Sequence, residues 1–190
     1  PLDTAARAIL MRADGDAFNR WENGQSLAGE TILEMAGRAG GDVNADYLRA
    51  IGAVLARAGD DPAFAAQMLT PPSESELAAL KTPVDPEGLH AARTALMRAV
   101  AAAHGEKLAA LYEQHRGTGD FSPDARSAGR RALRNACLRY LTAADDEAAA
   151  ELAEAHYRSA GNMTDMIAGL AALTRMESPL RDAAFTHFHD

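Results

Sequence analysis

At Asp61-Pro62, Asp85-Pro86, Ser122-Pro123 and Ser178-Pro179, a side chain able to cap a helix stands directly before a proline. Proline at the first helical position loses nothing by lacking an N–H, and the Asp or Ser before it can accept from the orphan amides of the first turn. Each pair therefore marks a helix start. Ser73-Glu-Ser-Glu76 adds a capping box, while Thr70-Pro-Pro and Lys81-Thr-Pro-Val punctuate the middle of the chain into short turns. No segment alternates apolar and polar residues for long enough to read as a strand. The chain is predicted to be all-α.

Between these marks the apolar residues recur at three- and four-residue steps. Thr4–Arg12 reads as a short helix, ended by Ala-Asp-Gly-Asp at 13–16. The next carries Phe18, Trp21, Gln25, Ala28, Ile32 and Met35 until the glycines at 37, 40 and 41 stop it. Asn44 caps a helix with Tyr47, Ile51, Val54, Leu55 and Ala58 on its buried side. The longest stretch runs from Pro86 to about His115, with Leu89, Ala92, Leu96, Val100 and Ala103 on one stripe. His104-Gly105 interrupts it with a kink or short break before Leu108, Leu111 and Tyr112 resume. Arg116–Phe121 is the clearest loop.

From Ser122 to Leu141 the sequence predicts a helix capped by Ser122, with Ala125, Gly129, Ala132, Leu133, Ala136, Cys137 and Tyr140 on one broad face. Leu138 and Arg131 point roughly the other way, and apolar residues on more than one side indicate an inner helix between neighbours. Later helix starts fall near 145, 162 and 178, so a two-helix repeat takes about 35–40 residues, within the range of helical-repeat arrays. The expected architecture is an armadillo/HEAT-like superhelical stack of two-helix repeats with about nine to ten helices. It is expected to form a single helical domain over residues 1–190, with a subdivision into 1–118 and 119–190 where the loop falls.

A formal charge of −8 argues against a nucleic-acid-binding face. One cysteine excludes an internal disulfide framework and fits a reducing, cytoplasmic compartment. No apolar run approaches a membrane span. The chain opens on Pro1-Leu2-Asp3 and closes on His189-Asp190, and both ends read as cut from a longer polypeptide.

No constellation that could carry chemistry emerges from the residues themselves, and the expected catalytic, cofactor-binding and metal residues are none. The six histidines (90, 104, 115, 156, 187 and 189) form no His-x-x-x-His pair. His187-Phe-His189 lacks the further converging ligands that zinc needs. Cys137 reads as a core residue, and Asp145-Asp-Glu147 with Glu151 and Glu154 as a solvated helix start. Arg126, Arg130 and Arg134 step along the margin of the broad face and read as a solvated edge or as partners of a neighbouring helix. Arg139 lies near small residues and is expected to be partly buried and paired. Trp21 reads as core or an interface anchor before a ligand contact.

Three blocks resemble one family. Asp16-Ala-Phe-Asn-Arg-Trp-Glu22 with Gly24-Gln25 is similar to its FNRWEAGQ block. Leu69-Thr-Pro-Pro-Ser-Glu-Ser75 with Val84-Asp-Pro86 resembles its PSE and DP stretch. Arg130-Arg-Ala-Leu-Arg-Asn-Ala-Cys-Leu-Arg-Tyr-Leu141 with Asn162-Met-Thr-Asp165 resembles a paired signature, the most specific of the three. The family is the aminopeptidase N (alanyl aminopeptidase) group of gluzincin metallopeptidases, and the blocks match its helical C-terminal domain.

The resemblance implies a parent enzyme that binds zinc through a His-Glu-x-x-His helix and holds the substrate's amino group with a Gly-x-Met-Glu-Asn loop. Neither motif occurs here, so no catalytic or metal residue carries over, and no cofactor is expected in this chain. It further implies a lid-like role, with the catalytic domain of the same polypeptide and its peptide substrates as partners. An excised domain is expected to expose an apolar face that a second copy can cover, whereas nucleic acid and membranes are not expected partners. Two other readings stand beside this one: a free-standing helical-repeat interaction module, and an enzyme complete in this chain, which no constellation supports.

Overall fold

A computed structural model describes residues 2–38, 41–117, 120–144 and 146–189. Among the described residues there are ten helices and no strand. They gather into two compact units, one through His104 and one from Gly105.

The first unit contains α1 (Thr4–Ala13), α2 (Ala17–Gly37), α3 (Ala45–Ala56), α4 (Pro62–Met68), α5 (Glu74–Ala78) and the first part of α6 (Pro86–Gln114). Its starts follow the sequence signals closely. The side chains of Asp3, Asp16, Asn44 and Asp61 each accept from a first-turn amide, and Ser73 and Glu76 complete the capping box. Gly88 N donates to Asp85 at 3.0 Å ahead of α6. Beyond α2, Gly41 has φ 139°, a value that glycine adopts without a Cβ penalty. Met11, Leu27, Ile32, Ile51, Leu55 and Leu96 fill the core. Phe18, expected on the α2 stripe, is instead exposed and leans on Trp21 with ring centroids 5.9 Å apart. It sits in the first turn of α2.

The interruption in α6 has a visible cause. His104 takes a non-helical φ/ψ of −135°/18° and its Nε2 donates to the Leu48 carbonyl of α3 at 2.8 Å. A Cβ on Gly52 would stand 2.9 Å from the ring, so the imidazole reaches that carbonyl only because residue 52 has no side chain. Ala103, just before the break, is exposed and does not continue the Leu89 stripe.

The second unit holds the rest of α6, then α7 (Ala125–Leu141), α8 (Glu147–Arg158), α9 (Met163–Leu173) and α10 (Pro179–His189). Gly169 of α9 lies so close to α8 that an added Cβ would meet the Tyr157 backbone nitrogen at 2.8 Å. Leu108, Leu133, Cys137, Leu138, Tyr157 and Leu173 make the core. Leu138, on the opposite side of α7 from the main stripe, is as buried as Cys137. Ala125 and Ala132, placed on the buried face by periodicity, are exposed.

The start of α7 also departs from expectation. Asp124, not Ser122, is the N-cap, and its carboxylate accepts from Ser127 N at 3.0 Å. The Ser122 hydroxyl donates to Asp124 at 2.5 Å rather than capping the helix itself. These two bonds hold the Asp124 carboxyl far below its ordinary range, the Ser122 contribution being the larger.

Candidate functional site

The arginine row on α7 turns as it climbs. Steps of four residues advance about 40° around a helix of 3.6 residues per turn. Arg126 is therefore exposed, Arg130 half-buried and Arg134 buried, at 6% exposure. Arg134 is thus not a margin residue. Its guanidinium lies 4.5 Å over the Tyr112 ring, and its Nη2 donates to the Tyr112 hydroxyl at 3.1 Å. The phenol proton is then left to donate to His156 Nδ1 at 2.9 Å, which makes His156 a neutral imidazole with its proton on Nε2. Burial is the first cause that pushes His156 down to about 4, followed by the nearby Arg134 charge. Burial likewise raises the Tyr112 phenol, against the opposing charge of Arg134.

Beside this chain of bonds lies a pocket of about 450 Å³, lined among others by His115, Ser127, Arg130, Arg131, Arg134 and Asn162. Arg131 covers the Phe121 ring at 4.7 Å and donates to the Ser122 carbonyl at 2.9 Å. Burial and the Arg130 charge lower the His115 imidazole, and neither ring nitrogen finds a partner among the described residues. Asp165 also lines the pocket, but its two oxygens accept from Asn135 and Asn162, each at 2.9 Å.

The blocks that carried the resemblance are tied together by hydrogen bonds between elements. Gln25 donates to the Thr70 carbonyl at 2.8 Å, tying the first block to the second, and Arg93 donates to Pro72 O at 3.0 Å. The Asn135–Asp165 bond ties together the two members of the paired signature.

The remaining candidates are dispersed. Trp21 is half-buried against Phe18. Cys137 is buried, and burial pushes its thiol up to about 12, so it is no thiolate nucleophile at neutral pH. Arg139 is half-buried in the last turn of α7. His90 meets Glu74 at 2.8 Å on the surface, and His187 Nδ1 meets the Tyr157 hydroxyl at 2.7 Å. Asp146 caps α8, Glu154 pairs with Arg158 at 2.9 Å, Glu147 and Glu151 are exposed, and Asp145 lies outside the described residues. No three His, Cys, Asp or Glu side chains among the described residues are grouped so as to hold a metal ion. No helix among them is long and apolar enough to cross a membrane.

The family described as "Domain of unknown function (DUF3458_C) ARM repeats" matches residues 4–190. Aminopeptidase N of Caulobacter vibrioides is 43% identical over 186 residues, covering 96% of this chain and 21% of that protein. Aminopeptidase N of Escherichia coli is 34% identical over 186 residues, again 96% of this chain and 21% of that protein. The chain thus spans about 21% of the length of these relatives. A crystal structure of Legionella pneumophila aminopeptidase A in complex with aspartic acid superposes with a TM-score of 0.84, at 23% identity, over 100% of this chain and 23% of that one. At that identity the likeness concerns the fold.

Proposed function

The chain belongs to the DUF3458_C family of ARM-repeat domains, and from that membership we propose that it serves as the non-catalytic C-terminal helical domain of a zinc-dependent aminopeptidase N. In that role it covers the active site of the parent polypeptide and restricts which peptides enter. The observation that carries the reading is the 43% identity to an aminopeptidase N across 96% of this chain. The resemblance blocks support it as well, since they join separate elements of the domain through side-chain hydrogen bonds.

The described residues offer zinc no fitting set of ligands. His187 is engaged with Tyr157, His90 pairs with Glu74 on a different surface, and no metal-holding group of three ligands exists among the described residues. The metal and the peptide-bond chemistry belong to another part of the parent. The exposed Phe185 and Phe188 of α10 offer apolar surface for meeting that part, or a second copy in its absence.

Two measurements test the reading. The purified 190-residue chain, with or without added zinc, should release no amine from an aminoacyl anilide; metal-dependent turnover by clean protein would overturn the non-catalytic role. In the longer polypeptide, deleting this segment should favour long peptides over the anilide, relative to the intact enzyme. An unchanged ratio in a folded, active deletion variant would remove the covering role and leave a scaffold. A reading frame without any metallopeptidase segment would instead favour the free-standing interaction module.

A further inference from the structure

The geometry points to the α7 pocket as a binding site for a small oxyanion, gripped by Arg130, Arg131 and Arg134. This goes beyond the covering role and does not depend on it.

The first ground is an imbalance of charge. The chain as a whole is acidic, at −8, yet this pocket gathers three arginines that have no carboxylate within ion-pair distance among the described residues. Asp165 also lines the pocket and keeps its charge, but its oxygens accept from the amides of Asn135 and Asn162 and it forms no ion pair with these arginines. Asp120 stands exposed at the rim. A buried guanidinium without a counter-charge is costly, and Arg134 is 6% exposed. An anion arriving from solvent supplies the missing charge.

The second ground is the supply of donors. A guanidinium carries five N–H donors in a fixed fork. The bonds formed are one from Arg134 to Tyr112, one from Arg131 to Ser122 O, and a long one of 3.5 Å from Arg130 to Gln114 O. The Nε atoms of Arg131 and Arg134 are buried without a partner. Ser127 adds a hydroxyl to the lining, and Gly161 and Asn162 bring the start of α9, whose dipole favours negative charge. The neutral His156 and His115 bordering the network contribute no positive charge of their own, so recognition rests on the arginines. Guanidinium forks match the planar oxygens of carboxylate and phosphate alike.

The test is calorimetric titration of the 190-residue chain with inorganic phosphate and, separately, with succinate, in chloride buffer of matched ionic strength. At least one should bind saturably at one site per chain, and which one does so tells phosphate from carboxylate. The double variant Arg130→Gln/Arg131→Gln should weaken binding by at least about tenfold, the scale of one lost charge-assisted bond. Absence of binding by both anions, or equal binding by the variant, overturns the site. Phenylglyoxal modification of the unmutated chain gives a second readout that needs no variant to fold. The bound anion should slow modification of Arg130 and Arg131 but not of the exposed Arg38, and rates at Arg130 and Arg131 unchanged by the anion would also overturn the proposal.

Discussion

The two units bury polar groups in different ways. In the unit through His104, the buried polar side chains among the described residues are Asn23 and Thr31, and each returns its bond to its own helix, to Asn19 O and Leu27 O at 2.8 Å. In the unit from Gly105, Thr142 also bonds back to its own helix at Leu138 O, but His115, Arg134, His156 and Asp165 are buried as well, and a network joins α6 to α7 and α8, and α7 to α9. Local back-bonding satisfies a polar group without choosing a neighbour. A side-chain bond between helices fixes which helix sits opposite, and its register. The first unit links its elements through part-buried bonds from Gln25, Arg93 and His104 to backbone carbonyls, whereas the second couples its packing to the ionisation state of its buried core. The chain supplies a reporter for each: one tryptophan, Trp21, in the first unit, and one cysteine, Cys137, in the second.

Acid should separate the units most strongly. The folded His156 titrates at about 4, below its ordinary 6.5, because burial disfavours the cation. The unfolded chain therefore binds more protons in the window between those values, and stability is lost as pH falls from 6.5 towards 4, then levels off. At about 1.4 kcal/mol per pH unit, the loss is on the order of 3 kcal/mol. The lowered His115 adds to it with the same sign. In urea titrations, Cys137 should become accessible to a pyridyl disulfide at progressively lower denaturant as the pH drops, while the Trp21 fluorescence midpoint moves much less. Equal movement of both midpoints would break the distinction.

Two substitutions in the second unit sharpen it. In Gly169→Ala the new methyl meets the Tyr157 backbone, which cannot swing aside as a side-chain end can, and a loss of about 3 kcal/mol is expected from the Cys137 readout. Tyr112→Phe removes the hydroxyl between Arg134 and His156 and leaves a buried donor and a buried acceptor unmatched, for about 2 kcal/mol. This variant should also alter the acid transition, because His156 loses the donor that favours its neutral form. A stability loss with an unchanged acid transition would mean that the phenol is packing alone.

How much of this was legible depends on the range of the interaction. Helix starts were readable because Asp-Pro, Ser-Pro and the capping box act within one turn, and the break at His104 announced itself by interrupting a stripe. At Ser122-Pro123 the same local rule failed because Asp124, two residues on, captured the serine hydroxyl and took the cap. The bond between Tyr112 and His156 spans 44 residues, and no pattern along the chain proclaims it. A weaker signal existed. His156 follows the buried Ala149 and Ala153 at helical spacing, and Tyr112 follows Leu108, so both were polar groups on apolar stripes. Arg134 was misplaced for a geometric reason: a row at four-residue steps was treated as one edge, although it winds from solvent into the core. The proposal of a zinc-dependent parent came from family resemblance alone, since no spacing of residues in this sequence suggests it.

The smallest expected effect belongs to the first unit and completes the comparison. Gly24 of α2 is buried like Gly169, but a Cβ there would meet the Met68 methyl carbon at 3.3 Å and the Met11 side chain at 3.5 Å. Both obstacles are flexible thioether chains that can turn away, unlike the Tyr157 backbone. Alanine also gains about 1 kcal/mol over glycine inside a helix. The gain and the repacking cost oppose each other, so Gly24→Ala should leave the Trp21 unfolding midpoint within about 0.5 kcal/mol of the parent chain. A loss approaching that of Gly169→Ala would show that the first unit is as tightly specified as the second, its specificity residing in methionine packing where the other unit uses a buried polar network.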